Sequence, residues 1–161
     1  CNGFQALIKL GLVPYGDIVP MTAECPTLTF NTIGRHQSRL VRTRVASNLS
    51  PWLAKTEVGD MHTIAISHGE GRFVASDDVL AQLKANGQIA TQYVDEAGVP
   101  GMDLEVNPNG SLLAIEGITS PDGRVFGKMG HSERYSNGTF VNVPGKKDQP
   151  LFAAGVEYFT A

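Results

Sequence analysis

The stretch "NPNGSLLAIEGITSPDGRVFGKMGHSER", Asn107 to Arg134, decides how the chain is read. "NPNG" (107–110) and "SPDG" (120–123) carry the Asn, Asp, Pro and Gly residues that tight turns demand. "SLLAIEGIT" between them reads as a buried strand and "RVFGKM" as its returning partner, which together predict a β-hairpin. His131 and Glu133 follow directly, alternating around Ser132. Both therefore emerge at a strand end, where α/β sheets place their sites. A histidine there can serve as a general base, and a nearby carboxylate can accept its second ring N–H and fix the tautomer. The residues alone leave open a loop histidine beside an exposed glutamate.

Working outward from the hairpin, "QIATQYVD" (88–95) reads as a strand. It follows a helix that Ser76 can cap, that carries Val79, Leu80 and Leu83, and that Asn86-Gly87 stops. "MHTIAISHGEGRFVAS" (61–76) places an apolar strand before a glycine-bracketed polar turn, His68-Gly69-Glu70-Gly71, with a second strand-like run behind it. In "SRLVRTRVAS" (38–47), Val41, Thr43 and Val45 alternate with Arg42 and Arg44, the pattern of a strand with one wet face. "GDIVPMTAECP" (16–26) is broken by prolines and reads as a connection. At the start, Phe4, Leu7 and Ile8 recur at helical spacing and Gly11 supplies a left-handed stop, so residues 2–10 predict a helix with Cys1 at its mouth. "QPLFAAGVEYF" (149–159) predicts a closing helix with Leu151, Phe152 and Val156 turned inward.

The 161 residues, 42% of them hydrophobic, suit a single α/β domain that buries most of its apolar surface. Thirteen Lys and Arg against 16 Asp and Glu give a formal charge of −3, which argues against a general binder of nucleic acid or anionic membranes. No apolar run approaches a membrane span, so a cytoplasmic setting is expected. The two cysteines, Cys1 and Cys25, form no CxxC pair, and reduced thiols are the default. A metal site is not expected, because His62, His68 and Glu70 match no helical HExxH pattern. Arg35, His36, Arg39, Arg42 and Arg44 form a basic cluster that either meets an acidic partner or is a solvated strand face. Trp52 and Phe73 fit either a core or an interface.

A cysteine at a helix N-terminus has its thiolate favoured by unpaired N–H groups and the positive end of the helix dipole. "CNGFQ" opening a helix, with "GHSER" much later, resembles the class I glutamine amidotransferases, in which a Gly-x-Cys-x-Gly elbow and a later His-x-Glu form a Cys-His-Glu triad. "ISHGEGRF" and the Asn107–Arg134 block make the chain similar to the glutaminase domains of phosphoribosylformylglycinamidine synthases over nearly its whole length. The pattern departs from many relatives at one place: their histidine lies in Pro-His-Pro-Glu, where this chain has Gly130 and Ser132.

The resemblance implies a flavodoxin-like α/β domain with a mixed central sheet, residues 1–161 being the C-terminal portion of a single amidotransferase domain that lacks its N-terminal strands. It assigns Cys1 as nucleophile, His131 as acid and base, and Glu133 as its orienting carboxylate. The backbone N–H of Asn2 becomes one oxyanion donor. Gln5, one turn along the helix from Cys1, is placed either to line the glutamine pocket or to face solvent, and His68 and Glu70 are expected to contact either glutamine or the synthase portion. An upstream glycine-rich loop would supply the second donor, worth about 2.7–4 kcal/mol, so weak activity or none is expected of this chain alone. L-glutamine is the implied substrate. The implied partners are the missing N-terminal half of the domain and a synthase domain or subunit that holds ATP and magnesium, with no cofactor in this domain. A second reading takes Cys1 literally as an N-terminal nucleophile whose own amine is the base. The opening helix and the distant His-x-Glu count against it. A third makes the domain a non-catalytic binding or structural partner.

Overall fold

Phe4 and Ile8 lie one helical turn apart and are both buried, which docks the first helix; full burial of such side chains contributes about 1.5–3 kcal/mol each. Gly11 ends it at φ +86°, a conformation that costs other residues dearly. The computed structural model describes residues 1–161. Its helices are α1 (Asn2–Leu10), α2 (Leu12–Tyr15), α3 (Asp77–Ala85) and α4 (Leu151–Thr160). Its strands are β1 (Thr27–Thr29), β2 (Gln37–Val45), β3 (Met61–His68), β4 (Arg72–Val74), β5 (Ile89–Tyr93), β6 (Ile115–Thr119) and β7 (Phe126–Lys128).

Five strands form one sheet in the order β3-β2-β5-β6-β7, and every ladder in it is antiparallel. Burial alternates along β2 and β3, as expected for strands with one wet face. β6 is buried at every position, and β6 and β7 form the expected hairpin around Pro121-Asp122-Gly123. The apolar run before β6 starts as a single 3-10 turn, Leu112–Ala114, so Leu113 reaches solvent and the strand begins only at Ile115.

Adjacent residues Ile89 and Ala90 on β5 belong to different cores, because successive side chains point to opposite faces. Ile89 joins Phe4, Ile8, Leu83, Ile115 and Met129 under α1 and α3. Ala90 joins Val45, Leu53 and Leu151 under α4. The sheet is thus covered on both faces, an α/β layering.

One local expectation is corrected. On α4 only Leu151, Ala154 and Gly155 are buried, while Phe152 and Val156 are 62% and 64% exposed. Gly155 lies so close to the Trp52 ring that a Cβ there would collide with it, and this contact sets the buried face. Trp52 is half-buried and packs on α4, its ring 5.6 Å from that of Phe159, whereas Phe73 is fully buried core. β4 pairs with β1 in a separate two-stranded sheet.

The two edges of the main sheet meet. Just beyond β7, the His131 N–H donates to Ala65 O on β3 at 2.8 Å, in an isolated antiparallel bridge. Four strand spacings of about 4.8 Å would separate the edges of a flat sheet by roughly 19 Å, so the sheet is strongly rolled. Three residues of the basic cluster make surface contacts within the chain: Arg42 pairs with Glu96 at 3.0 Å, and Arg39 and Arg44 donate to the carbonyls of Glu105 and Gly98. No helix is long and apolar enough to cross a membrane.

Candidate active site

The rolled sheet leaves a seam between β7 and β3, and Cys1 sits in it. Its backbone nitrogen donates to Lys128 O on β7 at 2.7 Å, and its thiol lies 3.6 Å from Ser67 O on β3. Cys1 is also the N-cap of α1 and has no capping hydrogen bond through its side chain. The first N–H groups of a helix lack partners within it, so the amides beginning at Asn2 are free to meet developing negative charge beside the sulfur.

His131 reaches the same seam through the bridge to Ala65. A cavity of about 440 Å³ is lined by Cys1, His131 and Glu133, with Trp52, Phe126 and Phe152 among its apolar walls. His131 Nδ1 is 2.5 Å from Glu133 Oε1. Burial is the largest single influence on Glu133 and opposes its ionisation, but the hydrogen bond with His131, a backbone hydrogen bond and the charges of His131 and Arg134 together outweigh it and hold the carboxyl below its ordinary range. The partner nitrogen, His131 Nε2, is buried with no hydrogen-bond partner. An imidazole held on one nitrogen by a carboxylate and free on the other is the arrangement that moves protons in cysteine and serine hydrolases.

A second cavity, about 400 Å³, opens on the other side of Cys1 and is lined by Asn2, Gln5, His36, His68, Gly69 and Glu70. Asn2 is exposed and Gln5 half-buried, its Nε2 donating to Leu28 O at 3.3 Å. His68 is 4% exposed with neither ring nitrogen paired, and burial pushes its pKa down to about 4, so it is neutral at neutral pH. His36, which the sequence placed only in a basic cluster, joins this wall through a 3.1 Å hydrogen bond to Ser67 Oγ. A larger cavity of about 470 Å³ near Arg44 and Lys84 contains none of these residues.

The turn carrying His68 is held from an unexpected direction. Asn31 Nδ2 donates to His68 O at 2.9 Å, and Asn31 Oδ1 accepts from Gly71 N at 3.1 Å. Asn109 Nδ2 donates to Gly71 O at 2.9 Å. Gly71 has no room for a side chain, since a Cβ there would meet the His68 ring and stand 2.9 Å from Asn109 Nδ2. Asn107 and Asn109 of the "NPNG" turn are fully buried, so this turn is a polar knot as well as a reversal. Their burial was not legible in a motif that elsewhere sits at the surface. Glu116, Lys128 and Gln149, which surround the His131 loop, were also missed. The one available signal was an acidic residue inside the apolar run "LLAIEGIT". No group of three or more His, Cys, Asp or Glu side chains is placed to hold a metal ion.

Residues 1–159 match the family model of the CobB/CobQ-like glutamine amidotransferase domain. The phosphoribosylformylglycinamidine synthase subunit PurQ of Aquifex aeolicus is 40% identical over 136 residues, covering 84% of this chain and 54% of that protein. The subunit of the same name from Methanosarcina acetivorans is 32% identical over 160 residues, 99% of this chain and 62% of its own length. The chain thus spans somewhat over half the length of these curated relatives. Among solved structures, that of PurLQS from Thermotoga maritima superposes with a TM-score of 0.68 at 29% identity, covering 98% of this chain and 59% of the other. Fold, matched span and sequence agree: this chain belongs to the CobB/CobQ-like glutamine amidotransferase domain family.

Proposed function

We propose that this chain carries the glutaminase chemistry of a phosphoribosylformylglycinamidine synthase, releasing ammonia from L-glutamine for the ATP-dependent amination of formylglycinamide ribonucleotide. One observation above all supports the reading. Cys1 and, far from it in sequence, the His131–Glu133 pair line one cavity in which the imidazole is tied to the carboxylate and keeps its other nitrogen free. The similarity to two PurQ subunits supports the choice of substrate.

On this reading Cys1 Sγ attacks the side-chain carboxamide carbon of glutamine, and the oxyanion is met by backbone N–H groups, that of Asn2 among them. His131 passes a proton to the nitrogen as the C–N bond breaks, ammonia leaves, and a γ-glutamyl thioester remains on Cys1. His131 then takes a proton from water, whose oxygen attacks the thioester to release glutamate and the thiol. Glu133 holds the ring orientation and stabilises the imidazolium. Gln5 and neutral His68 line the cavity beyond Cys1 and contact the substrate there. ATP and magnesium belong to the synthase domain or subunit that receives the ammonia, and no residue of this chain is assigned to them. A cytoplasmic setting goes with this reading.

The test is covalent trapping. A glutamine-like chloroketone is expected to add to Cys1, with glutamine protecting against it and Cys1→Ser abolishing it, as read by peptide mass. Labelling of Cys25 in preference to Cys1, or no protection by glutamine, would overturn the reading.

A further inference from the structure

Glu116 is wholly buried in the middle of β6, a strand otherwise apolar or small, and nothing in the chemistry above uses it. A buried carboxylate is costly unless it is paired and hydrogen-bonded, and replacing such a pair with apolar residues often leaves stability unchanged or improved. Its partners are all close to the His131 loop or to the neighbouring strand. Oε1 accepts the Gly130 N–H at 2.5 Å and lies 3.6 Å from Lys128 Nζ, while Oε2 accepts from Thr91 Oγ1. Lys128 Nζ in turn donates to Ser132 Oγ at 2.9 Å and to Gln149 Oε1 at 3.1 Å, and the Ser132 hydroxyl donates to the same Gln149 oxygen at 2.7 Å.

The two residues that flank His131 are therefore both tied to one buried ion pair. Gly130 fits no other way: a Cβ there would stand 2.8 Å from Glu116 Oε1 and 2.7 Å from Ile64 Cγ2. A proline at 130 would in addition lack the N–H that Glu116 accepts. Where flanking prolines would stiffen the loop by fixing φ, Gly130 and Ser132 leave it flexible unless something holds them.

We propose that Glu116 and Lys128 are positioning residues that hold the His131 imidazole in the cavity it shares with Cys1 by anchoring Gly130 and Ser132 from beneath. This rests on the assignment of Cys1 and His131 as the reacting pair. The device acts through the loop, and neither residue needs to touch substrate. A displacement of about 1 Å at a reacting group costs up to roughly a hundredfold in rate, which is the scale of effect expected.

The test follows the rate of Cys1 alkylation by iodoacetamide from about pH 5 to about pH 9 in the full chain with Cys25→Ser, since the thiolate is the reacting form. Lys128→Met and Glu116→Gln are expected to slow alkylation at neutral pH by at least roughly tenfold and to move the profile toward that of an ordinary thiol. Thermal melting and circular dichroism report the fold separately. Ser132→Ala, which removes only one hydroxyl, is expected to move the profile in the same direction, and Ser132→Thr to restore it. His131→Ala is the reference. If it shifts the profile while the Glu116, Lys128 and Ser132 variants lower the melting temperature alone, the positioning role is overturned and the triad stands. If His131→Ala itself leaves the profile unchanged, both fall.

Discussion

Replacing His131 by alanine removes the only imidazole in the Cys1–Glu133 cavity, and glutamine hydrolysis is expected to fall roughly 10²–10⁴-fold with labelling of Cys1 reduced at neutral pH. Glu133→Gln is expected to cost less, because this side chain is half exposed and water can replace part of its hydrogen bond to the ring. An assay of ammonia release that ranks the two variants in the opposite order would contradict the roles given to them. Gly71 is a stricter position than its surface turn suggests. Gly71→Ala drives a methyl group into the His68 ring and the Asn109 amide, and overpacking of this kind costs about 1–3 kcal/mol. A lowered melting temperature is the expected readout.

At the scale of elements, α4 offers a sharp contrast between its faces. Gly155→Val places three carbons where the Trp52 ring now lies and is expected to destabilise by about 1–3 kcal/mol in urea titrations. Val156→Thr, one residue on and 64% exposed, is expected to change stability by no more than about 0.5 kcal/mol. Similar losses at both positions would mean that α4 is docked the other way round. α3 is held at its start by Ser76, whose Oγ accepts the Val79 N–H at 3.4 Å. Its removal in Ser76→Ala is expected to cost about 0.5–2 kcal/mol.

Across the whole molecule, two buried histidines make stability depend on acid. Burial pushes His62 and His68 down to about 4, and all four of their ring nitrogens lack partners. The unfolded chain takes up protons at these residues near pH 6.5, whereas the folded chain does so only near pH 4, so the unfolded state binds more protons across that window. Stability is then complete above about pH 6.5 and is lost as the pH falls toward 4, on the order of 2–3 kcal/mol for each residue. Denaturant midpoints measured from neutral pH downward should show this fall. His62→Phe should remove about half of it, and an unchanged acid slope in that variant would assign the effect elsewhere.

Local pattern was enough to read α1, α3, the wet face of β2 and the β6–β7 hairpin, because helical spacing, strand alternation and turn residues act over a few neighbours. It raised Cys1, His131 and Glu133 as candidates, but their types alone left a loop histidine beside an exposed glutamate open, and only the resemblance to class I glutamine amidotransferases gave them roles. Tertiary structure alone decided the rest. The roll of the sheet brings His131 to β3 and suspends Cys1 between two edges. The same packing buries Asn107, Asn109 and Glu116 where a surface turn and an apolar strand were expected. It also turns Phe152 and Val156 outward because Gly155 admits Trp52. These outcomes depend on partners dozens of residues away, and no local pattern encodes the distance between them.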